Sequence, residues 1–132
     1  MTTLVREAMV IEPRTLGAQA TAQEAGELLA KPDVRAIFVC DEHRLVGVVT
    51  RKTLVREVVA PGRDPRQTTL GEIAEVAHWT FEAESDAEEA FRSMEEWDAE
   101  RVPVVDRGRL VGVLSRSVLQ RRLAEDEPPE DE

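Results

Sequence analysis

Arg44-Leu-Val-Gly-Val-Val-Thr-Arg51 returns later in the chain as Arg109-Leu-Val-Gly-Val-Leu-Ser-Arg116. The shift from Gly47 to Gly112 is 65 residues. Without a gap, the same shift pairs Thr15 with Thr80, Ala22 with Ala87, Glu24 with Glu89, Val39 with Val104, Asp41 with Asp106 and Leu54 with Leu119. A register held from Thr3/Thr68 to Val59/Ala124 identifies two copies of one supersecondary unit.

Each motif follows an apolar β-type run, Ile37-Phe-Val-Cys40 or Val102-Pro-Val-Val105, and a polar turn, so run and motif read as a buried hairpin. Upstream, Thr21-Ala-Gln-Glu24 and Asp86-Ala-Glu-Glu89 have capping-box spacing. They open helices whose apolar stripes are Ala22, Ala25, Gly26, Leu29 and Ala87, Ala90, Phe91, Met94, at helical intervals. Before each helix lies a brief extended stretch around Thr15 or Thr80. A short amphipathic start precedes that, with Leu4, Val5, Ala8, Met9 in one copy and Leu70, Ile73, Ala74 in the other. A last helix carries Leu54, Val55, Val58, Val59, and in the second copy Val118, Leu119, Leu123. The stretch between the copies is punctuated by Pro61, Gly62 and Pro65 and reads as a linker. The expected fold is α/β (α+β), the order β-α-β-β-α twice, with repeats at 3–59 and 68–124 and a linker at 60–67. A unit of about 60 residues buries too little surface to be comfortable alone, so the copies are expected to form one pseudo-two-fold domain.

The whole chain has 132 residues, 42% hydrophobic and 33% charged, which is a globular composition. With 4% aromatic residues and no Tyr, the core has to be built from Val, Leu, Ile and Ala. No apolar run approaches the roughly 20 residues of a membrane span, and the N-terminus lacks a signal pattern. One cysteine excludes an intrachain disulfide framework. These features predict a cytoplasmic protein without a membrane partner. The formal charge is −10, and six of the carboxylates lie in Glu125-Asp-Glu-Pro-Pro-Glu-Asp-Glu132. That stretch reads as a disordered acidic tail over 125–132. Without it the body is still negative, at −4, which argues against a nucleic-acid partner, since phosphate backbones require clustered Lys and Arg.

Phe38–Asp41 with Arg44–Arg51, and Pro103–Asp106 with Arg109–Arg116, resemble the strand-turn-strand pattern of cystathionine-β-synthase-type (CBS) domains. The tandem spacing resembles their paired form, the Bateman module, over nearly the whole chain. The resemblance implies a stand-alone regulatory sensor that binds an adenosine-containing ligand, AMP, ADP, ATP or S-adenosylmethionine, in clefts between the repeats. No cofactor is required beyond such a ligand, and a regulated protein partner is implied. The alternative is a ligand-free interaction or dimerisation scaffold. In the family, phosphate and ribose are met by the pattern Gly-h-h-Ser/Thr-x-x-Asp, where h is apolar, and the other repeat supplies the adenine wall. Carried onto this chain, the first cleft would comprise Thr50 and Thr53 with Thr69, Arg101, Val102 and Pro103. The second and weaker one would comprise Ser115, Arg116 and Val118 with Ala36, Phe38 and Leu4. Thr53 and Val118 stand where the pattern has aspartate, so Thr53→Asp is expected to tighten ribose binding.

The remaining reactive residues point to no enzyme and no metal site. Cys40 exchanges with Val105 in the register, as a small core hydrophobe does. His43 stands in a turn where the other copy has Gly108, and His78 stands where it has Pro13, so both are expected at the surface, and neither has metal-ligand spacing to the other or to Cys40. Leu28, Leu29, Phe91, Met94 and Trp97 form an apolar surplus on the longer helices. They predict a homodimer.

Overall fold

The computed structural model describes residues 3–11 and 14–126. In chain order the elements are α1 (Val5–Ala8), β1 (Thr15–Gly17), α2 (Ala22–Leu29), β2 (Ile37–Asp41), β3 (Arg44–Val49) and α3 (Arg51–Leu54), which runs on as a π-helical turn, Val55–Val59. Then follow α4 (Leu70–Ile73), β4 (Phe81–Glu82), α5 (Ala87–Trp97), β5 (Arg101–Asp106), β6 (Arg109–Ser115) and α6 (Arg116–Asp126). The order β-α-β-β-α occurs twice, as the repeat predicts, and the fold is mixed α/β. Helix α6 includes Glu125 and Asp126, the first two residues of the expected acidic tail; the rest of that tail, 127–132, lies outside the described residues.

The chain divides into two compact units, one of residues 13–78 and one of residues 1–12 with 79–132. These units do not follow the sequence boundaries 3–59 and 68–124, because each takes its short start helix from the other repeat. In the 13–78 unit, β1 pairs parallel to β2 and β2 antiparallel to β3, with Val39 opposite Gly47. Helix α4 completes it: Val48 and Glu75 exchange two backbone hydrogen bonds of 2.8 and 2.9 Å. Ala22, Ala25, Leu29, Ile37, Val39, Val49, Val58, Leu70 and Ile73 are buried in its core. The other unit repeats the plan, with β4 parallel to β5, β5 antiparallel to β6, and Val104 opposite Gly112. Here α1 supplies the missing piece, since Val10 and Val113 pair as Glu75 and Val48 do.

The glycine shared by both motifs now has a physical reason. A Cβ on Gly47 would collide with the Glu75 carbonyl oxygen. One on Gly112 would lie 2.8 Å from the Val10 carbonyl oxygen and 2.6 Å from Met9 Sδ. In each unit the crossing segment can approach the hairpin only where a side chain is absent.

The linker has a structural role in the 13–78 unit. The first turn of a helix leaves its N–H groups unpaired, and here Ala22 N–H donates to the Thr68 carbonyl and Gln23 N–H to the Pro65 carbonyl. Thr21 caps the same end through Glu24 N–H at 3.2 Å, as the capping-box spacing predicts.

The apolar positions on the last helix of the first repeat are only partly used. Val58 is buried, but Val55 and Val59 are 58% and 70% exposed. The change to π-helical winding after Leu54 rotates them off the core face. Of the five residues expected to form a dimer surface, Leu29 and Met94 are fully buried in their own cores. Trp97 stacks on Trp79 and Phe81 at centroid distances of 4.8 and 5.5 Å.

Both hairpins turn through two residues with positive φ: Glu42 (51°) and His43 (75°), and Arg107 (55°) and Gly108 (82°). Left-handed backbone of this kind suits a two-residue hairpin turn. The second copy satisfies it with glycine; the first places a histidine there, at an intrinsic cost of about 1–2 kcal/mol. Replacing His43→Gly is therefore expected to stabilise the protein by about 1 kcal/mol, measured as a shift in urea midpoint at constant slope.

Candidate functional site

The Gly-h-h-Thr pattern ends where β3 gives way to α3, and that junction positions two hydroxyls. Thr50 has extended backbone and is the N-cap of α3; its Oγ1 accepts from Thr53 N–H at 3.3 Å, and Thr50 N–H donates to Thr53 Oγ1 at 3.0 Å. This reciprocal capping satisfies two N–H groups at the start of a four-residue helix. Thr53 is 0% exposed, so its hydroxyl proton needs a buried acceptor. It donates to Glu75 Oε2 at 2.6 Å. The Thr50 and Thr53 hydroxyls lie 3.1 Å apart. With the Thr53 proton committed to Glu75, the Thr50 hydroxyl is the donor between them. The result is a polarised chain, Thr50 to Thr53 to the Glu75 carboxylate.

Glu75 is the residue that sequence reasoning missed. It occupies the segment after α4, far from Thr53 in sequence, and the backbone pairing with Val48 brings it to the hairpin end. Its other oxygen accepts from the Arg56 guanidinium, one turn beyond Thr53. A carboxylate, absent from the motif itself, thus stands against Thr53 from elsewhere in the same unit. The register sets Glu75 against Val10, so the equivalent position in the second repeat carries no acid.

The electrostatics follow from these contacts. The Thr53 hydroxyl first, then Arg56 and Lys52, hold the Glu75 carboxyl below its usual range against the opposing effect of burial. A carboxyl depressed on folding contributes stability that is complete above the ordinary carboxylate value near 4.5 and is lost as the pH falls through the lower folded value. An ionised carboxylate has about four lone-pair sites, and Thr53 and Arg56 use one on each oxygen. One acceptor site on each oxygen remains, on a side chain that is 39% exposed.

Thr69 lies in the same unit, at the N-cap of α4, but its N–H and Oγ1 both donate to Glu72 Oε2, at 2.7 and 3.1 Å. Those bonds, with Arg63, hold the Glu72 carboxyl below its usual range. Arg101, Val102 and Pro103 begin β5 in the other unit; Arg101 is exposed, while Val102 and Pro103 are buried. In that unit the hydroxyl of Ser115 lies 3.3 Å from that of Ser117. Arg116 is drawn into ion pairs with Glu100 and Asp98, and Val118 lines a hollow of about 310 Å³ with Glu7, Ala8, Arg121, Arg122 and Glu125. This second site therefore has basic residues that the sequence comparison of the two clefts did not count, but no acceptor in place of Thr53. Ala36 is half-buried ahead of β2 and Phe38 is buried within it; Leu4 pairs with Asp86. Cys40 is half-buried and unbridged, its thiol pushed up by burial, and His43 and His78 are exposed.

The CBS domain profile matches residues 5–60 and 67–125. This chain belongs to the CBS-domain family. Hypoxic response protein 1 of Mycobacterium tuberculosis is 32% identical over 124 residues, which is 93% of this chain and 87% of that protein. The crystal structure of Hypoxic Response Protein I with two coordinated zinc ions superposes with a TM-score of 0.78 at 30% identity, over 91% of this chain and 98% of that one. CBSX2 in complex with AMP gives 0.75 at 23% identity, over 92% and 96%, a likeness of fold. Among the described residues no three His, Cys, Asp or Glu side chains converge as a metal site, and no helix is long and apolar enough to cross a membrane.

Proposed function

We propose that this CBS pair is a regulatory module that binds an adenosine-containing ligand through its first repeat and passes the bound state to a protein partner. The observation that carries this reading is the Glu75 carboxylate, bonded to Thr53 at the end of the Gly-h-h-Thr pattern. Two vicinal ribose hydroxyls need two acceptor sites, and Glu75 has two left. Arg56 and Lys52, close enough to influence Glu75, supply the positive charge that a phosphate requires. Thr50 and Thr69 are the hydroxyls of the same unit that the family pattern adds. The occurrence of AMP in a structure of the same fold supports the ligand class. The module is read as cytoplasmic, as self-associating and as a non-enzyme.

A specific observation favours the alternative, a scaffold whose site has closed on itself. Thr50, Thr53, Glu75 and Arg56 are already bonded to one another. Calorimetry of the full chain with AMP, ADP, ATP and S-adenosylmethionine decides between them. Saturable heat from at least one ligand is expected, with weaker binding as salt is raised, because the phosphate contacts are charged. No heat from any of them at millimolar concentration leaves the scaffold.

A further inference from the structure

In the unit of residues 1–12 with 79–132, Trp97 ends α5 and stacks on two rings: on Trp79 with planes 5° apart, and on Phe81 with planes 17° apart. Three of the five aromatic side chains of the chain are gathered here, both tryptophans among them. Phe81 packs against the core, whereas Trp79 is 42% exposed. The elements that hold the stack are strongly acidic. Phe81 to Glu100 contains nine carboxylates and one arginine, while residues 13–78 carry nine side chains of each sign. Glu95 and Glu96 lie in the last turn of α5, which has no basic residue, although a helix C-terminus favours cations.

The 65-residue register sets Trp79 against Arg14, Glu96 against Lys31, Asp98 against Asp33 and Glu100 against Arg35. In the first repeat the Arg14 guanidinium reaches the Asp33 carboxylate at 3.6 Å. The second repeat keeps the aspartate, with its side chain 91% exposed. It has an indole where the first has that guanidinium, and carboxylates where the first has Lys31 and Arg35. Asp98 draws on Arg116 at 3.6 Å, but that arginine is bonded more closely to Glu100.

We propose that this face of the second repeat receives an arginine side chain of a partner protein, its guanidinium lying on the Trp79 indole and pairing with Asp98. The first repeat supplies the cation from its own chain; the second leaves it to the partner. Charge complementarity sets the sign of the occupant, and the indole sets its kind. A guanidinium is planar and weakly hydrated, so it stacks on an aromatic face while its edge donates to a carboxylate. Tryptophan is the strongest aromatic partner for a cation. The proposal rests on the protein partner in the functional reading above and gives that partner a surface. Its test needs no nucleotide, so either reading can fail alone.

Both tryptophans lie in the stack and the chain has no tyrosine, so the intrinsic fluorescence of the full chain reports on this site. The probe is a capped peptide of alternating Gly and Arg, with lysine and citrulline analogues. The arginine peptide is expected to change the fluorescence saturably, the lysine peptide to bind about tenfold more weakly, and the uncharged citrulline peptide not to bind. In calorimetry, Trp79→Leu and Asp98→Asn are each expected to weaken the arginine peptide about tenfold. The second variant keeps the fold, because Asp98 has left-handed backbone at the end of α5 (φ 55°), which asparagine tolerates. No saturable change, equal affinity for the lysine peptide, or unchanged binding in either variant overturns the proposal. A fluorescence change when the chain alone is diluted assigns the face to a second copy, and overturns it as well.

Discussion

Thr53→Asp is expected to destabilise the protein by about 3 kcal/mol at pH 7, the scale for a buried charge without a compensating partner. The family pattern has aspartate at this position and implies tighter ribose binding; stability answers to the buried surroundings of Thr53. Thr53 is fully buried and its oxygen is 2.6 Å from Glu75 Oε2, so an aspartate would put two carboxylates in one site, where only one ionises readily. In a Glu75→Gln background the same substitution meets an amide that can donate to it. The penalty is then expected to fall to about 1 kcal/mol, a coupling within the range for residues in direct contact. It should also shrink on acidification of the single variant, because one of the two carboxyls takes up a proton. Urea denaturation of the four proteins at pH 7 and pH 5 gives the cycle. An equal cost of Thr53→Asp in both backgrounds would mean that Glu75 does not act on that site.

Gly47→Ala is expected to have an effect of similar size, by a different route. Its methyl group would collide with the backbone oxygen of Glu75, and a backbone held by two hydrogen bonds to Val48 cannot give way as a flexible side chain can. Overpacking of this kind costs about 1–3 kcal/mol, and relief requires the Glu75 segment to move off the hairpin. The loss of stability therefore brings a loss of the Thr53–Glu75 contact and of the proposed binding. Gly17→Ala is the control: its Cβ would approach nothing nearer than the Cys40 carbonyl oxygen, at 4.0 Å, and it is expected to stay within about 0.5 kcal/mol of wild type. Equal midpoints for Gly47→Ala and Gly17→Ala would contradict the close-approach explanation of the repeated glycine.

The elements were legible in the sequence because each rests on local chemistry. The capping residues Thr21 and Asp86, the continuous apolar runs at Ile37 and Val102, and the two-fold occurrence of one motif each specify a piece of backbone without reference to distant residues. The exchange of α1 and α4 between repeats was not legible. It depends on which crossing segment reaches Gly47 and Gly112, and the apolar starts at Leu4 and Leu70 read alike in either position. The site was legible in half. Thr50 and Thr53 stand in the motif, whereas Glu75 is 22 residues beyond Thr53 and is brought there by the Val48 pairing, a long-range contact with no sequence signature of its own. The same long-range character explains why Val55 and Val59, apolar and correctly spaced, lie outside the core: their helix changes its winding at Leu54, and helical spacing presumes that it does not.

The ribose contact of Glu75 is tested most directly by comparing AMP with 2′,3′-dideoxy-AMP in calorimetry on the wild type and on Glu75→Gln. If Glu75 accepts the ribose hydroxyls, the wild type binds AMP about tenfold or more tighter than the dideoxy analogue, the scale of a hydrogen bond to a charged group. Glu75→Gln then binds the two with nearly equal affinity. Equal affinities in the wild type, or the same discrimination in both proteins, would contradict the assignment of Glu75 as the carboxylate that the motif lacks.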